Sequence, residues 1–284
     1  MKPSLGEFYT LLKQKLTASG VESADFEVRS ILKHRLNIDF SEIIANPGQK
    51  LSKNDLKLPE SDVKRRIKGK PLSRIHGSRG FHGLEFALGP ETLDPRSETE
   101  ILVERALKLF HGKHPDRVLD LGTGTGCIII SLLKAWPETK GVAADISQGA
   151  LDIAKQNAET HKVADRLEFV RSNWGEAIQG QFDLVVSNPP YIKAGDIESL
   201  QTEVRNHDPI LALDGGFDGL DAYRKIFFDL PRLLNPSGKA LFEIGFGQAD
   251  DLVRLSRDSR IRIIDTQPDY AGITRVVEIS NGDN

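Results

Sequence analysis

The sequence predicts an α/β protein in which a seven-stranded, mostly parallel sheet with an antiparallel last strand follows a small helical domain. Three observations carry this. From about residue 95 onward, short β-branched runs alternate with amphipathic helical stretches, the pattern of βα units in a sheet covered on both faces. The first 75 residues instead keep a helical period throughout. Between the two lies a glycine-punctuated stretch, GSRGFHGLEFALGPETLDP, with Phe81, Leu84, Phe86 and Leu88 spaced for a β-hairpin. The expected organisation is therefore a helical domain at 1–75, a hairpin linker at 76–94 and a catalytic domain at 95–284.

In chain order, Ser4 and Glu7 have capping-box spacing, Leu5, Phe8, Leu12 and Leu16 share one face, and Gly20 closes the first helix. A second helix is expected over 23–36 and a third from just after Pro59 to about Lys68. Ser97 and Glu100 suggest another capping box at the start of SETEILVERALKLF. Strands are expected at RVLDLG from residue 117, GVAADI from 141, RLEFV from 166, FDLVVSN from 182, KALFEIG from 239, IRIID from 261 and ITRVVEI from 273. Helices fall between them, including one capped by Ser147 and one over GLDAYRKIFFDLPRLL. The last two strands have no crossover helix between them, so they are expected to run antiparallel.

Composition narrows the function classes. Hydrophobic residues make up 39% and charged residues 28% of 284 residues, and no apolar run approaches a membrane span, so no membrane partner is expected. MKPSLGEFYT has no apolar signal-peptide core, and Cys127 is the single cysteine; a reducing, cytoplasmic setting is expected. His111 and His114 in HGKH have no third ligand nearby, so no metal is expected. Residues 1–75 hold 15 Lys plus Arg against 9 Asp plus Glu, a net +6, whereas the remainder holds 23 against 32, a net −9. Much of the basic excess lies in VKRRIKGKPLSR, residues 63–74, read first as a solvated helix face and second as a patch for an acidic partner.

VLDLGTGTGC is a strand ending in a glycine-rich turn that enters a helix. Gly122, Gly124 and Gly126, with Thr123 and Thr125 between them, let the backbone turn tightly and approach a ligand closely. A small packing role is expected for Cys127, just beyond. Asp145 ends the next strand about 20 residues on, where a carboxylate can accept hydrogen bonds from ribose hydroxyls. After the third strand come Asn173 and Trp174, an amide for the polar edge of adenine and an indole for its face. Three such features at the carboxyl ends of successive strands favour an adenosine-containing ligand.

The fourth strand ends in SNPPYI. Two prolines stop the ladder, fix φ and remove competing N–H donors. The Asn188 side-chain oxygen and the Pro189 carbonyl can accept both hydrogens of a planar amide or amino nitrogen and hold it in line with an electrophilic methyl. Pro190 stiffens the array and Tyr191 offers a packing surface. Catalysis would be mostly proximity and orientation, worth ~7–11 kcal/mol for well-aligned reactants.

With these motifs the chain resembles class I S-adenosylmethionine-dependent methyltransferases, and more closely the HemK-type release factor glutamine N5-methyltransferases. The resemblance extends through GKPLSRIHGSRGFHGLEF, LDPRSETE, HDPILALDGGFDGLDAYR and FEIGFGQ. It implies a Rossmann-like sheet and methylation of the glutamine in the Gly-Gly-Gln motif of class 1 peptide chain release factors. A monomer is expected, and the negatively charged catalytic half without an evident target-recognition domain argues against a stable nucleic-acid partner. The resemblance also implies that residues 122–126 and Asp145 hold S-adenosylmethionine with Trp174 near the adenine, and Asn173 and Asn188 are expected at the same ligand. Asn188, Pro189, Pro190, Tyr191 and Arg96 would bind the glutamine, with Asn188, Pro189 and Tyr191 catalytic and residues 1–75 recognising the substrate. The chain departs from the family pattern at Asp94, Ser97 and Asn173. Two other readings remain open: methylation of adenine N6 in nucleic acid, which the same Asn-Pro-Pro-Tyr would suit, and a non-catalytic cofactor-binding module docking on the translation machinery.

Overall fold

The structure, a computed structural model, describes residues 2–282. It divides between Gly77 and Ser78 into two compact units. The first contains α1 (Leu5–Ala18), α2 (Ala24–Leu36), α3 (Phe40–Ala45), α4 (Lys53–Ile67) and α5 (Leu72–His76). Ser4 and Glu7 form the expected capping box, and the apolar face of α1 meets Val28, Ile31 and Leu32 of α2 in one core. The third expected helix begins earlier than its proline suggested. Ser52 and Asp55 form a capping box that starts α4 at Lys53, leaving Pro59 inside the helix. Capping two orphan donors and burying Val63 outweigh the one backbone bond that the proline removes.

This unit also corrects the reading of the basic stretch. Arg66 pairs with Glu27 at 2.7 Å with both side chains nearly buried, and Asp62, 1% exposed, receives Arg35 and Arg65. Arg65 and Arg66 therefore act within the helical unit; Lys64 and Lys68 are the exposed charges of the stretch.

The second unit opens with the hairpin β1 (Ser78–Phe81) and β2 (Leu84–Ala87), turned by His82 and Gly83 at φ 48° and 74°. There follow α6 (Glu100–Leu109), β3 (Arg117–Leu121), α7 (Cys127–Ala135), β4 (Lys140–Asp145), α8 (Gln148–Thr160), β5 (Leu167–Arg171) and β6 (Phe182–Ser187). After these come α9 (Thr202–His207), α10 (Asp221–Leu233), β7 (Leu234–Glu243), α11 (Ala249–Ser256), β8 (Ile261–Pro268) and β9 (Thr274–Asn281). The sheet order is β5-β4-β3-β6-β7-β9-β8, with β9 antiparallel to both neighbours and the other pairings parallel. Successive residues of β3 and β6 alternate between two cores: Val118, Leu184 and Val186 pack with α6 and α7, whereas Leu119 and Val185 pack with α10.

The expected capping box at Ser97 and Glu100 does not form. Residues Ser97–Thr99 make a 3-10 turn instead, and Glu100 accepts the His82 backbone N–H of the hairpin turn. A longer-range donor thus takes the carboxylate that the local motif would have used. Ser147 does cap α8, accepting from the Ala150 N–H. No helix among the described residues is long and apolar enough to cross a membrane.

Candidate active site

Strand order reverses at β3, flanked by β4 on one side and β6 on the other, and such a switch point opens a crevice at the strand carboxyl ends. Two cavities lie there. The first, about 360 Å³, is lined by Gly122 to Thr125, Asp145, Asn173, Trp174, Arg96, Asn188 and Pro190, within the usual range for ligand sites. The second, about 260 Å³, is lined by Asn188, Pro189, Tyr191, Arg96, Glu243 and Arg275. Asn188 and Arg96 border both.

The glycine turn is held from below and from the side. Gly122 and Gly124 adopt φ of 73° and 55°, where a side chain would be strained, and no atom stands within 4 Å of a Cβ built at Gly124. That gap is the room a close-approaching ligand needs. Thr123 Oγ1 donates to Asp120 Oδ2 at 2.7 Å, and burial pushes the Asp120 carboxyl up to about 7. Asp145 accepts from the Gly124 N–H through one oxygen and from the Ser147 N–H through the other, both at 2.9 Å. Burial raises its pKa, against the backbone N–H groups that favour the ionised form. Asp145 is thus both the fastener of the turn and a carboxylate facing the cavity. Trp174, at φ 55°, lays its ring on Gly122, where a Cβ would come within 3.3 Å of the indole.

Gly126 stands apart from the other predicted cofactor residues. It does not line the cavity; its Cβ would meet Ile130 at 2.8 Å and Ala154 at 3.3 Å, so it permits α7 to pack on α8. Cys127 is buried, and desolvation pushes its thiol up to about 12, which leaves it a packing residue.

The acceptor side is assembled from five separated segments. Ser187 Oγ donates to the Leu121 carbonyl at 2.6 Å, fixing the end of β6 beside the glycine turn. Asn188 Nδ2 donates to Thr99 Oγ1 at 3.1 Å, which leaves its Oδ1 as the amide's acceptor for another partner. Beyond the prolines, the loop of HDPILALDGG lies alongside: Ile192 exchanges backbone bonds with Leu213 and Gly215 at 3.1 and 2.8 Å. A Cβ at Gly219 would sit 2.5 Å from the Tyr191 carbonyl, so only glycine allows this approach. Gln248, from FEIGFGQ, donates to the carbonyls of Tyr191 and Gly219. Arg96 Nη2 binds Asp208 at 2.5 Å, which steadies its guanidinium between the cavities.

Sequence reasoning missed Thr99, Asp208, Glu243 and Gln248. All four stand inside the motifs LDPRSETE, HDPILALDGG and FEIGFGQ, but nothing local marks a threonine in a helical start as the partner of a distant asparagine, or a glutamate at a strand end as the partner of a distant tyrosine. Glu243 is 2% exposed and faces the Tyr191 hydroxyl at 3.5 Å. Burial pushes its carboxyl up to about 7, against Thr99 and Arg275, which favour the charge. Burial, and then Glu243, raise the Tyr191 phenol as well.

Two adjoining cavities at the switch point of this sheet suit a methyltransferase, and comparisons with known proteins show that class. Residues 92–208 match the family described as methyltransferase small domain, and residues 7–77 match the PrmC N-terminal domain. Among solved structures, a methyltransferase from Pyrococcus furiosus aligns with a TM-score of 0.53 at 17% identity, covering 79% of this chain and 100% of that one. The ribosomal protein L11 methylase of Lactobacillus delbrueckii subsp. bulgaricus aligns at 0.51 and 18% identity, over 66% and 81% of the two chains. These two show the fold. The release factor glutamine methyltransferase of Agrobacterium fabrum is 39% identical over 93% of both chains, and that of Bradyrhizobium diazoefficiens is 41% identical over 94% of this chain and 91% of that protein. The chain belongs to the release factor glutamine methyltransferase family.

Proposed function

We propose that this chain transfers the methyl group of S-adenosylmethionine to the side-chain amide nitrogen of the Gly-Gly-Gln glutamine in class 1 peptide chain release factors. The observation that carries this reading is the placement of Asn188 on the border of both cavities, with its nitrogen engaged by Thr99 and its oxygen left to accept. The first cavity fits the cofactor: Gly124 leaves an open cradle, Asp145 offers carboxylate oxygens for ribose hydroxyls, and Trp174 offers an aromatic face. When bound there, S-adenosylmethionine supplies an electrophilic methyl group.

The protein's own contribution is orientation. Asn188 Oδ1 and the Pro189 carbonyl accept the two amide hydrogens, Tyr191 packs on the amide plane, and Pro190 keeps the array rigid. Arg96, braced by Asp208, engages the substrate beside them. As the amide nitrogen bonds the methyl carbon, that carbon's bond to the cofactor sulfur would break with the electron pair staying on sulfur, and the nitrogen would afterwards lose one hydrogen as a proton to water.

Residues 1–75 are assigned to recognition of the release factor, a role supported by the family match over 7–77. Reversing the exposed charges at Lys64 and Lys68 tests whether the basic stretch takes part. An unchanged KM for release factor leaves it a solvated face. The enzyme is read as a cytoplasmic monomer without a stable nucleic-acid partner, which size-exclusion chromatography with and without RNA checks.

The deciding experiment supplies methyl-labelled S-adenosylmethionine with unmethylated release factor, with a release factor whose Gly-Gly-Gln glutamine is replaced, and with DNA or RNA. Label is expected on the first acceptor alone. Label on nucleic acid and not on release factor overturns the reading.

A further inference from the structure

Asn188 serves the proposed reaction only if its amide points one way, because the opposite orientation presents a donor to a nitrogen that already carries two hydrogens. An asparagine side chain has nearly equal shape in both orientations, so a neighbour must choose between them. Thr99 is that neighbour, but a hydroxyl both donates and accepts and is no arbiter by itself. Its proton needs a destination. Glu243 provides one: Thr99 lies near enough to its carboxyl to favour the charged form by hydrogen bonding, Oε1 faces Tyr191, and Oε2 is buried without a well-formed hydrogen bond. A buried oxygen left without a partner is costly, so such an atom calls for an explanation.

We propose that Thr99 and Glu243 are positioning residues that set the polarity of Asn188: the carboxylate, an acceptor only, draws the Thr99 hydroxyl hydrogen, Thr99 Oγ1 accepts from Asn188 Nδ2, and Asn188 Oδ1 is turned toward the substrate amide. This inference rests on the acceptor role given to Asn188 above. The direction of the chain then depends on the charge of Glu243, because a protonated carboxyl can donate to Thr99, whose own hydrogen is then free to turn on Asn188. The groups facing Glu243 are Tyr191 after β6, Arg275 on β9 and Glu98 in the turn before α6; Tyr223 of α10 binds its backbone carbonyl, and Cys127 of α7 senses its charge. Burial pushes the carboxyl up to about 7; Thr99, Arg275 and Tyr191 favour the charged form, and Glu98 opposes it.

The test measures kcat, the calorimetric Kd for S-adenosylmethionine, melting temperature and the pH profile for the full chain with release factor. Thr99→Val keeps the shape and removes the hydroxyl; kcat is expected to fall roughly 10- to 100-fold, the loss typical of a misplaced reacting group, with cofactor affinity unchanged. Thr99→Ser restores the hydroxyl and is expected to recover most of the rate. In the wild type, kcat rises with pH to a plateau above about 7, and this limb disappears in Glu243→Gln. A Thr99→Val enzyme with wild-type kcat overturns the inference, as does a Ser variant no better than Val. So does an acid limb that persists in Glu243→Gln, and the Ser and Gln variants decide the matter if the valine chain does not fold. The two levels fail separately. Wild-type turnover in Asn188→Ala removes the acceptor assignment itself, whereas a dead Asn188→Ala beside an active Thr99→Val removes only the positioning pair.

Discussion

The two cavities of the candidate active site are built in different ways. The first is largely one continuous idea: a strand, a glycine turn and the carboxylate that ends the next strand, with Asp145 fastening Gly124 and Ser147 within 23 residues of chain. The second is a convergence, in which Thr99, Asn188, Asp208, Glu243 and Gln248 come from segments spread over about 150 residues. On the proposed assignment, the contrast teaches that a cofactor cradle can be left to a local motif, while aiming one substrate nitrogen requires the packed sheet.

If that division holds, substitutions should separate affinity for cofactor from rate of transfer. The largest effect is expected on the acceptor side: Asn188→Ala should lower kcat by at least about 100-fold, as loss of an aligned reactant does, with the calorimetric Kd for S-adenosylmethionine close to wild type. A variant that loses cofactor instead would merge the two halves. Asp145→Ala should do the reverse, weakening cofactor about 10- to 100-fold, the worth of a hydrogen bond to a charged group, and loosening the glycine turn that it fastens. Unchanged affinity would take Asp145 out of the site.

Smaller effects sharpen the same line. Asp208→Ala releases the Arg96 guanidinium, so the KM for release factor should rise roughly 3- to 10-fold while cofactor binding stays constant. Asp120 lies beneath the turn with its folded-state pKa raised to about 7, above its unfolded value, so its stabilising contribution is present in acid and is lost as pH rises through about 7. Melting of wild type and Asp120→Asn should therefore agree most closely near pH 4 and separate by pH 8, with the aspartate form lower by roughly 2–4 °C per kcal/mol of buried charge. A constant difference across that range would place the titration elsewhere.

The strands were legible because burial on both faces demands continuous apolar runs, and the glycines because their turn demands positive φ, a requirement written in single residues. The start of α4 was misplaced because Pro59 is a louder signal than Ser52 with Asp55, yet the cap decides where the helix begins. The capping box expected at Ser97 failed for the converse reason: Glu100 found a donor in the hairpin, 18 residues away. Gly126 looked like its two companions and serves helix packing instead, since only the position of α8 tells a ligand-facing glycine from a helix-facing one.

Sequence alone determined the sheet, the glycine turn and the proline corner after Asn188, because each follows from what a residue's own backbone or side chain permits. Tertiary structure decided which way the Asn188 amide faces, since that depends on Thr99, 89 positions earlier, and on the carboxyl of Glu243 from another strand. Hydrogen-bond polarity is a property of a set of groups brought together, and no one of them carries it along the chain.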